Sequence, residues 1–473
     1  MPGSGVRPTA GRVEPVPIIP SGKENMRQGE PQGQRIGPLT RALQKVVEVR
    51  PEEVQLLFLS GAYFFLVLTS YYIIRPIRDE MGVAGGVENL AWLFTGTLAG
   101  TLLVHPLFTW TVARYPRKRF IPIAYRFFII NLLLFFVLLR TVPGEAYIWV
   151  GRLFFNWTSV FNLFVVSVFW AFMADIFRSE QGKRLFGFIG LGGTLGAILG
   201  SAVTAALAER LGPVNLLLFS ALFLELALRC VRVLGRRVTG QGVGSVADEE
   251  KAIGGGILAG VTSAFRSPYL LGIILFMFLF TFTSTSMYFQ QADIVSRHFQ
   301  EPGSRTAFFA RIDLLVNLLT LFTQAFLTGR NIKWFGLGVA LAILPLVTAL
   351  GFGILGAIPT LGVLMVVQTL RRGWNYGLMK PALEALYTVL PREDKYKAKN
   401  FIDTFVYRAG DQTGAWSYNG LMATGLSLTA LAFLNVPVAG MWMAMGLGLG
   451  WAQRRKARTS PGIGDPAPAM VGD

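Results

Sequence analysis

Along this chain apolar residues gather in long blocks separated by short polar turns, and the blocks set its organisation. A helix needs about 20 mostly apolar residues to cross a bilayer. Twelve blocks approach that length, at about 55–75, 90–113, 120–140, 147–174, 184–208, 213–234, 268–291, 306–328, 334–355, 359–380, 400–423 and 428–451. The longest internal connection, about 235–267, is Gly rich and polar and falls midway, so the spans divide six and six. The pattern predicts an all-α integral membrane protein of about twelve transmembrane helices in two six-helix halves.

The remaining segments read differently. Residues 1–38 are rich in Pro, Gly, Arg and Glu without periodicity and are expected to be a disordered cytoplasmic N-terminus. Residues 39–54, LTRALQKVVEVRPEEV, read as an amphipathic helix at the membrane interface, interrupted near Pro51. Residues 55–234 then form an N-terminal bundle, 235–267 a cytoplasmic linker, 268–452 a C-terminal bundle and 453–473 a cytoplasmic tail. Because the first apolar block follows some fifty polar residues, no cleaved signal peptide is expected.

Charge orients the spans. The turns after spans two, four, six, eight and ten carry Arg117 and Lys118, Lys183 and Arg184, Arg236 and Arg237, Arg330 and Lys333, and Lys395 and Lys397, and the tail adds Arg454 and Arg455. The turns after spans nine and eleven hold no Lys or Arg, so both termini are placed in the cytoplasm, with the protein in the inner membrane. With 52% hydrophobic and 15% charged residues, the composition is that of a polytopic membrane protein. A net charge of +17 concentrated in such turns needs no nucleic-acid partner. The lone Cys230 excludes an intramolecular disulfide and a multi-Cys metal site. His105 and His298 lie far apart in sequence, which argues against a metal centre or nucleophilic triad; His105 reads as a proton relay or, more simply, a packed polar group. Neither enzymatic activity nor a cofactor is expected.

A duplication is visible across the linker. Arg178, Lys183, Gly196 and Gly200 recur at a constant offset as Arg392, Lys397, Gly410 and Gly414, at matching span junctions. In span five Gly192, Gly196 and Gly200 form a small-residue face for close helix packing; without a GKS or GKT ending this is not a phosphate loop. Six plus six spans, this duplication and the loop charges together resemble the major-facilitator architecture.

Ionisable residues inside spans are costly and need a partner or a polar cavity. The basic ones are Arg75, Arg126, Arg152, Arg311, Arg371, Arg372, Lys380 and Arg408, and the acidic ones Glu225, Asp313, Asp403 and Asp411. The cationic excess suits an anion of several charges, unless residues near helix ends, Arg75 and Arg126 above all, snorkel to the interface. Span four sets Arg152, Asn156 and Ser159 at helical spacing, and span eight aligns Asp313, Asn317, Thr320 and Gln324. In span ten Arg372, Tyr376, Lys380 and Glu384 follow at four-residue spacing, and Pro381 frees the carbonyl of Gly377. This is either a gating kink or a helix braced by a Lys380–Glu384 pair.

Three segments resemble the nucleotide translocases, the ATP/ADP antiporter family of plastids and intracellular bacteria. They are YYIIRPIRDEMG (Tyr71 to Gly82), SVFWAFMADIFRSEQGKRLFGFIGLGG (Ser167 to Gly193) and MKPALEALYTVLPREDKYKAKNFIDTFVYRAGDQTG (Met379 to Gly414). They match that family's first-helix end, fourth-to-fifth junction and tenth-to-eleventh region, covering under a fifth of the chain. The resemblance implies a divergent bacterial-type member with twelve helices, alternating access and nucleotide exchange, and points to Arg75, Arg78 and Asp79, and to Lys399, Asp403 and Arg408. Thr158 stands where the family has Glu, and Asp411 where it has Lys.

The sequence thus points to a membrane transporter of an anionic solute, a nucleotide or other organic phosphate. The expected substrate contacts are Arg75, Arg78, Arg152, Asn156, Arg372, Lys380 and Arg408. Coupling or gating is expected of Asp79, Asp313, Glu384, Asp403 and Asp411. Two alternatives stand beside it: a proton-coupled transporter of a smaller organic anion, and a non-transporting membrane scaffold. The expected partners are the anion and the lipid bilayer, and a monomer is one option for the oligomeric state.

Overall fold

The computed structural model describes residues 49–51, 53–115, 117–240, 265, 267–391 and 398–459. The segments expected to be disordered or interfacial before residue 49, and most of the expected linker and tail, lie outside these residues. Twelve helical rods result. In the first half they are α1 (Val54–Ala84), α2 (Leu90–Arg114), α3 (Arg117–Thr141), α4 (Glu145–Ile176), α5 (Ser179–Leu211) and α6 (Leu216–Gly240). The second half has α7 (Pro268–His298), α8 (Pro302–Phe326) and α9 (Thr328–Ala357). Then α10 opens as Leu361–Trp374, passes through a π-helical turn, Asn375–Met379, and resumes as Lys380–Leu386. Another π turn, Ile402–Val406, leads into Tyr407–Ala423, together α11, and α12 is Leu428–Thr459.

The helices follow from the apolar blocks, because only a backbone that satisfies its own N–H and C=O groups is stable in lipid. Ten are long and apolar enough to cross a membrane, and the exceptions are α10 and α11. The protein is therefore a multi-pass membrane protein. Two rods overrun their expected ends: α6 continues through the basic 235–240 and α12 through 453–459. Both stretches carry arginines, whose long stems let a helix continue into the headgroup region.

Each half has its own core. Tyr63, Phe64, Phe154, Phe161 and Phe169 centre the first, and Phe276, Trp442, Leu341 and Tyr387 the second. A third cluster joins Val83, Leu90 and Phe155 of the first half to Phe289, Ile312 and Tyr418 of the second, at the end of the bundle farther from the chain termini. The expected glycine face is where α5 meets α1. A Cβ on Gly196 would strike the Phe65 carbonyl, and one on Gly200 the Thr69 carbonyl. The repeat reproduces this joint: Gly410 lies on Phe278 and Gly414 on Phe282 of α7. At the other end, Glu53 ties the start of α1 to the start of α5, accepting from the Arg50 N–H at 3.0 Å and from Gln181 at 2.8 Å, with Arg184 at 3.2 Å. Burial alone would raise its pKa, but these donors hold the carboxyl below its ordinary value.

Candidate functional site

Between the halves lies a cavity of about 390 Å³ walled by α1, α2, α4, α7, α10 and α11. Five arginines line it: Arg75 and Arg78 from α1, Arg371 and Arg372 from α10, and Arg408 from α11. Asp313 of α8, 1% exposed, joins the halves beneath it, lying 2.5 Å from Arg372 Nη2 and 3.4 Å from Arg75 Nη1. Its other oxygen has no hydrogen-bond partner among the described residues. Arg75 therefore does not snorkel to the interface as its place near a helix end allowed; a carboxylate from the opposite half holds it inside.

Two further aspartates reach the wall. Asp79 lies 3.2 Å from Arg78 and accepts a 3.0 Å hydrogen bond from the Tyr288 hydroxyl. Arg78 also stacks over the Phe155 ring at 3.9 Å. Asp411 accepts from Thr285 at 3.0 Å and lies 3.6 Å from Arg408, one helical turn away. Arg371 differs from the other four. It is buried, donates to Ser284 at 2.8 Å and to Gln368 at 3.4 and 3.3 Å, and has no carboxylate partner among the described residues. Five arginines against three aspartates leave two positive charges unmatched among the described residues around the cavity.

The structure thus brings Arg75, Arg78, Asp79, Asp313, Arg372, Arg408 and Asp411 together, and leaves five expected site residues elsewhere. The π turn of α10 is the reason for two of them. It inserts an extra residue into the helix, so the four-residue rhythm that starts at Arg372 and Tyr376 rotates off the cavity face before Lys380 and Glu384. Lys380 is exposed over the Tyr376 ring at 4.8 Å. Glu384 binds not Lys380 but Lys399, at 2.5 Å, so the expected brace within one helix is a link between two helices. The freed Gly377 carbonyl accepts from the Thr328 hydroxyl. In α11 the corresponding π turn leaves Asp403 exposed while Arg408 and Asp411 face inward.

Arg152 and Asn156 are separated from the cavity by α2. Asn156 accepts from Thr97 at 2.9 Å, and Thr97 is the residue that faces the cavity. Below that crossing, Thr158, Ser159 and Asn162 of α4 do line it. Ser284, Thr285, Tyr288 and Gln291 of α7 were not among the expected contacts. Their only signal is a polar stripe in a block otherwise as apolar as its neighbours. His298 bonds the Ile294 carbonyl of its own helix at 2.8 Å, and the His105 side chain lies outside the described ones.

Residues 56–410 match the family model of the Major Facilitator Superfamily. Two relatives named ADP,ATP carrier protein 1, from Chlamydia trachomatis serovar D and Chlamydia muridarum, are each 23% identical over 326 residues, 61% of this chain and 62% of theirs. The matched stretch is thus under two thirds of the length of these curated relatives. ADP,ATP carrier protein 2 of Chlamydia pneumoniae is 21% identical over 466 residues, covering 80% of this chain and 85% of that one. Among solved structures, a bacterial homologue of the iron transporter ferroportin in an inward-facing state has a TM-score of 0.59 at 13% identity, covering 84% of this chain and 98% of that one. A nucleoside transporter, NupG, has a TM-score of 0.57 at 12% identity over 85% of this chain and 99% of that one. At such identities the likeness is one of fold.

Proposed function

The chain belongs to the Major Facilitator Superfamily and is a membrane transporter, and we propose from the charge of its central cavity that it carries an organic phosphate, in the first place a nucleotide, in exchange for another. The observation that carries this reading is the set of five arginines facing one cavity, balanced among the described residues by Asp79 and Asp411 on its wall and Asp313 behind Arg75 and Arg372. Arginine presents a planar fork of donors that fits phosphate oxygens two at a time. The similarity to ADP,ATP carrier proteins supports the nucleotide. Rocking of the halves about Asp313 moves the site between the two faces, with both termini in the cytoplasm and the bilayer that of the inner membrane. The chain acts on its solute by moving it, without chemistry.

The test is uptake of labelled ATP, ADP and inorganic phosphate into liposomes holding the full chain, preloaded or not with unlabelled nucleotide. The expected result is uptake that requires internal nucleotide and is lost in Arg408→Ala. Absence of nucleotide uptake under every loading removes the proposal.

A second reading rests on Asp411, an acid beside Arg408 and Thr285 where the resemblance expects a lysine. There the protein moves a smaller organic anion with a proton. Uptake driven by a pH gradient without internal substrate, and lost in Asp411→Asn, distinguishes it.

A further inference from the structure

A second cavity, about 480 Å³, opens on the flank of the first half between the starts of α2 and α4, lined by Asn89, Trp92, Trp149, Arg152, Leu153 and Asn156. Its rim is apolar and largely exposed: Trp149 is 64% exposed and Leu153 59%, and Trp92, which packs edge-on against Trp416 of the second half, is still 63% exposed. In a membrane protein such a surface lies against lipid, and tryptophans one turn inside a helix start sit at headgroup depth. Within the rim stands one cation among the described lining residues. Arg152 lies over the Trp149 ring at 4.6 Å and donates from Nη2 to the Gly85 carbonyl at 3.1 Å. Its Nη1 has no hydrogen-bond partner among the described residues, and no described carboxylate pairs with the guanidinium. The nearby Glu88 is turned onto Asn89, from which it accepts at 3.2 Å. The inner wall is thin. Asn156 belongs to this cavity and its hydrogen-bond partner Thr97 to the central one.

We propose that this flank cavity is a binding site for one membrane phospholipid with an anionic headgroup, its phosphate on Arg152 and an acyl chain along Leu153 and Trp92. The occupant follows from the surroundings. A partly buried arginine at interfacial depth without a carboxylate is matched by the anion that is abundant there, the lipid phosphate. The tryptophans supply flat apolar walls with an N–H at the wet end. The site needs only the membrane setting, so it stands whatever solute the central cavity carries. A lipid seated there also presses on the Thr97–Asn156 contact that separates it from the transport cavity.

The experiment is native mass spectrometry of the full chain in non-ionic detergent, titrated with phosphatidylglycerol or with phosphatidylcholine of the same acyl chains. The wild type is expected to retain phosphatidylglycerol preferentially. Arg152→Gln should weaken it about tenfold, as loss of one charge-assisted contact does, while phosphatidylcholine is little changed and Arg152→Lys restores part of the binding. Inorganic phosphate at millimolar concentration should not displace the lipid. Unchanged phosphatidylglycerol binding in Arg152→Gln overturns the proposal, as does displacement by inorganic phosphate, which would make this a plain anion site. Should Arg152→Gln fail to fold, Leu153→Cys in a Cys230→Ser chain, labelled with a fluorophore, reads the site with Arg152 intact. Stronger quenching by brominated phosphatidylglycerol than by brominated phosphatidylcholine supports it, and equal quenching overturns it.

Discussion

Among the described residues Arg371 is held only by Ser284 and Gln368, both neutral, while Arg75, Arg78, Arg372 and Arg408 each have an aspartate in reach. An anion entering the cavity must compete with carboxylates for those four, but meets Arg371 without a rival. A hydrogen bond to a charged group contributes about 1.5–3 kcal/mol, so Arg371→Gln should raise the KM for the transported anion about ten- to a hundredfold. The concentration dependence of exchange into preloaded liposomes measures it, and an unchanged KM would assign Arg371 to packing. Seven of the twelve expected site residues do meet at the cavity, because an ionisable group inside an apolar span is costly wherever it lies and so stands out in the sequence. Hydroxyls do not stand out in this way. Ser286 and Thr283 of α7 bond their own helix carbonyls, so nothing in the sequence separates them from Ser284 and Thr285, which face the cavity. Arg152 was legible as a buried cation but not as one outside the cavity, since that depends on where α2 crosses α4.

At the scale of elements, the two helices that supply three of the five arginines are the two that fail the length and hydropathy of a span, and each contains a π turn. A π turn widens the helix and leaves carbonyls for side chains to satisfy, as Thr328 does for Gly377. Pro381 marked α10 for a break, but its form, a register shift that sends Lys380 and Glu384 outward, depends on packing against α8 and α9. The glycine face of α5 was legible, because spacing alone brings Gly192, Gly196 and Gly200 to one face, but its partner α1, and the part Gly410 and Gly414 play against α7, came only with the packing. They carry a sharp expectation. Gly196→Ala and Gly410→Ala each place a methyl against backbone or a buried threonine and should lower stability by about 1–3 kcal/mol. Gly187→Ala, with nothing within 4 Å, should be silent. Thermal unfolding in detergent separates the three, and equal midpoints would refute the joint.

For the whole molecule, the duplication ties these joints together: α5 grips α1 and α11 grips α7 through glycines at equivalent places, so each half is braced within itself. The halves touch through a different kind of surface, gathered at the end farther from the termini. There Trp92 packs edge-on against Trp416 with ring centroids 4.8 Å apart, Thr95 donates to Gln412 at 2.9 Å, and Arg305 lies 3.6 Å from Glu80. They lie beside the apolar cluster that joins the halves and the packing of α8 on α5, where Gly303 meets the Ala208 backbone, so the joint is extensive but separate from the core inside each half, and the halves can move about it as units. If the cavity is to reach both faces of the membrane, this end must part in every cycle. Joining Trp92→Cys to Trp416→Cys with a short reducible linker, in a Cys230→Ser chain, should therefore stop exchange and release it on reduction. Substrate binding should persist in the linked protein, because both cysteines lie outside the arginine cavity. Exchange that survives complete linking would mean that the halves do not separate here, and the path of the solute would have to run through the bundle without this end opening.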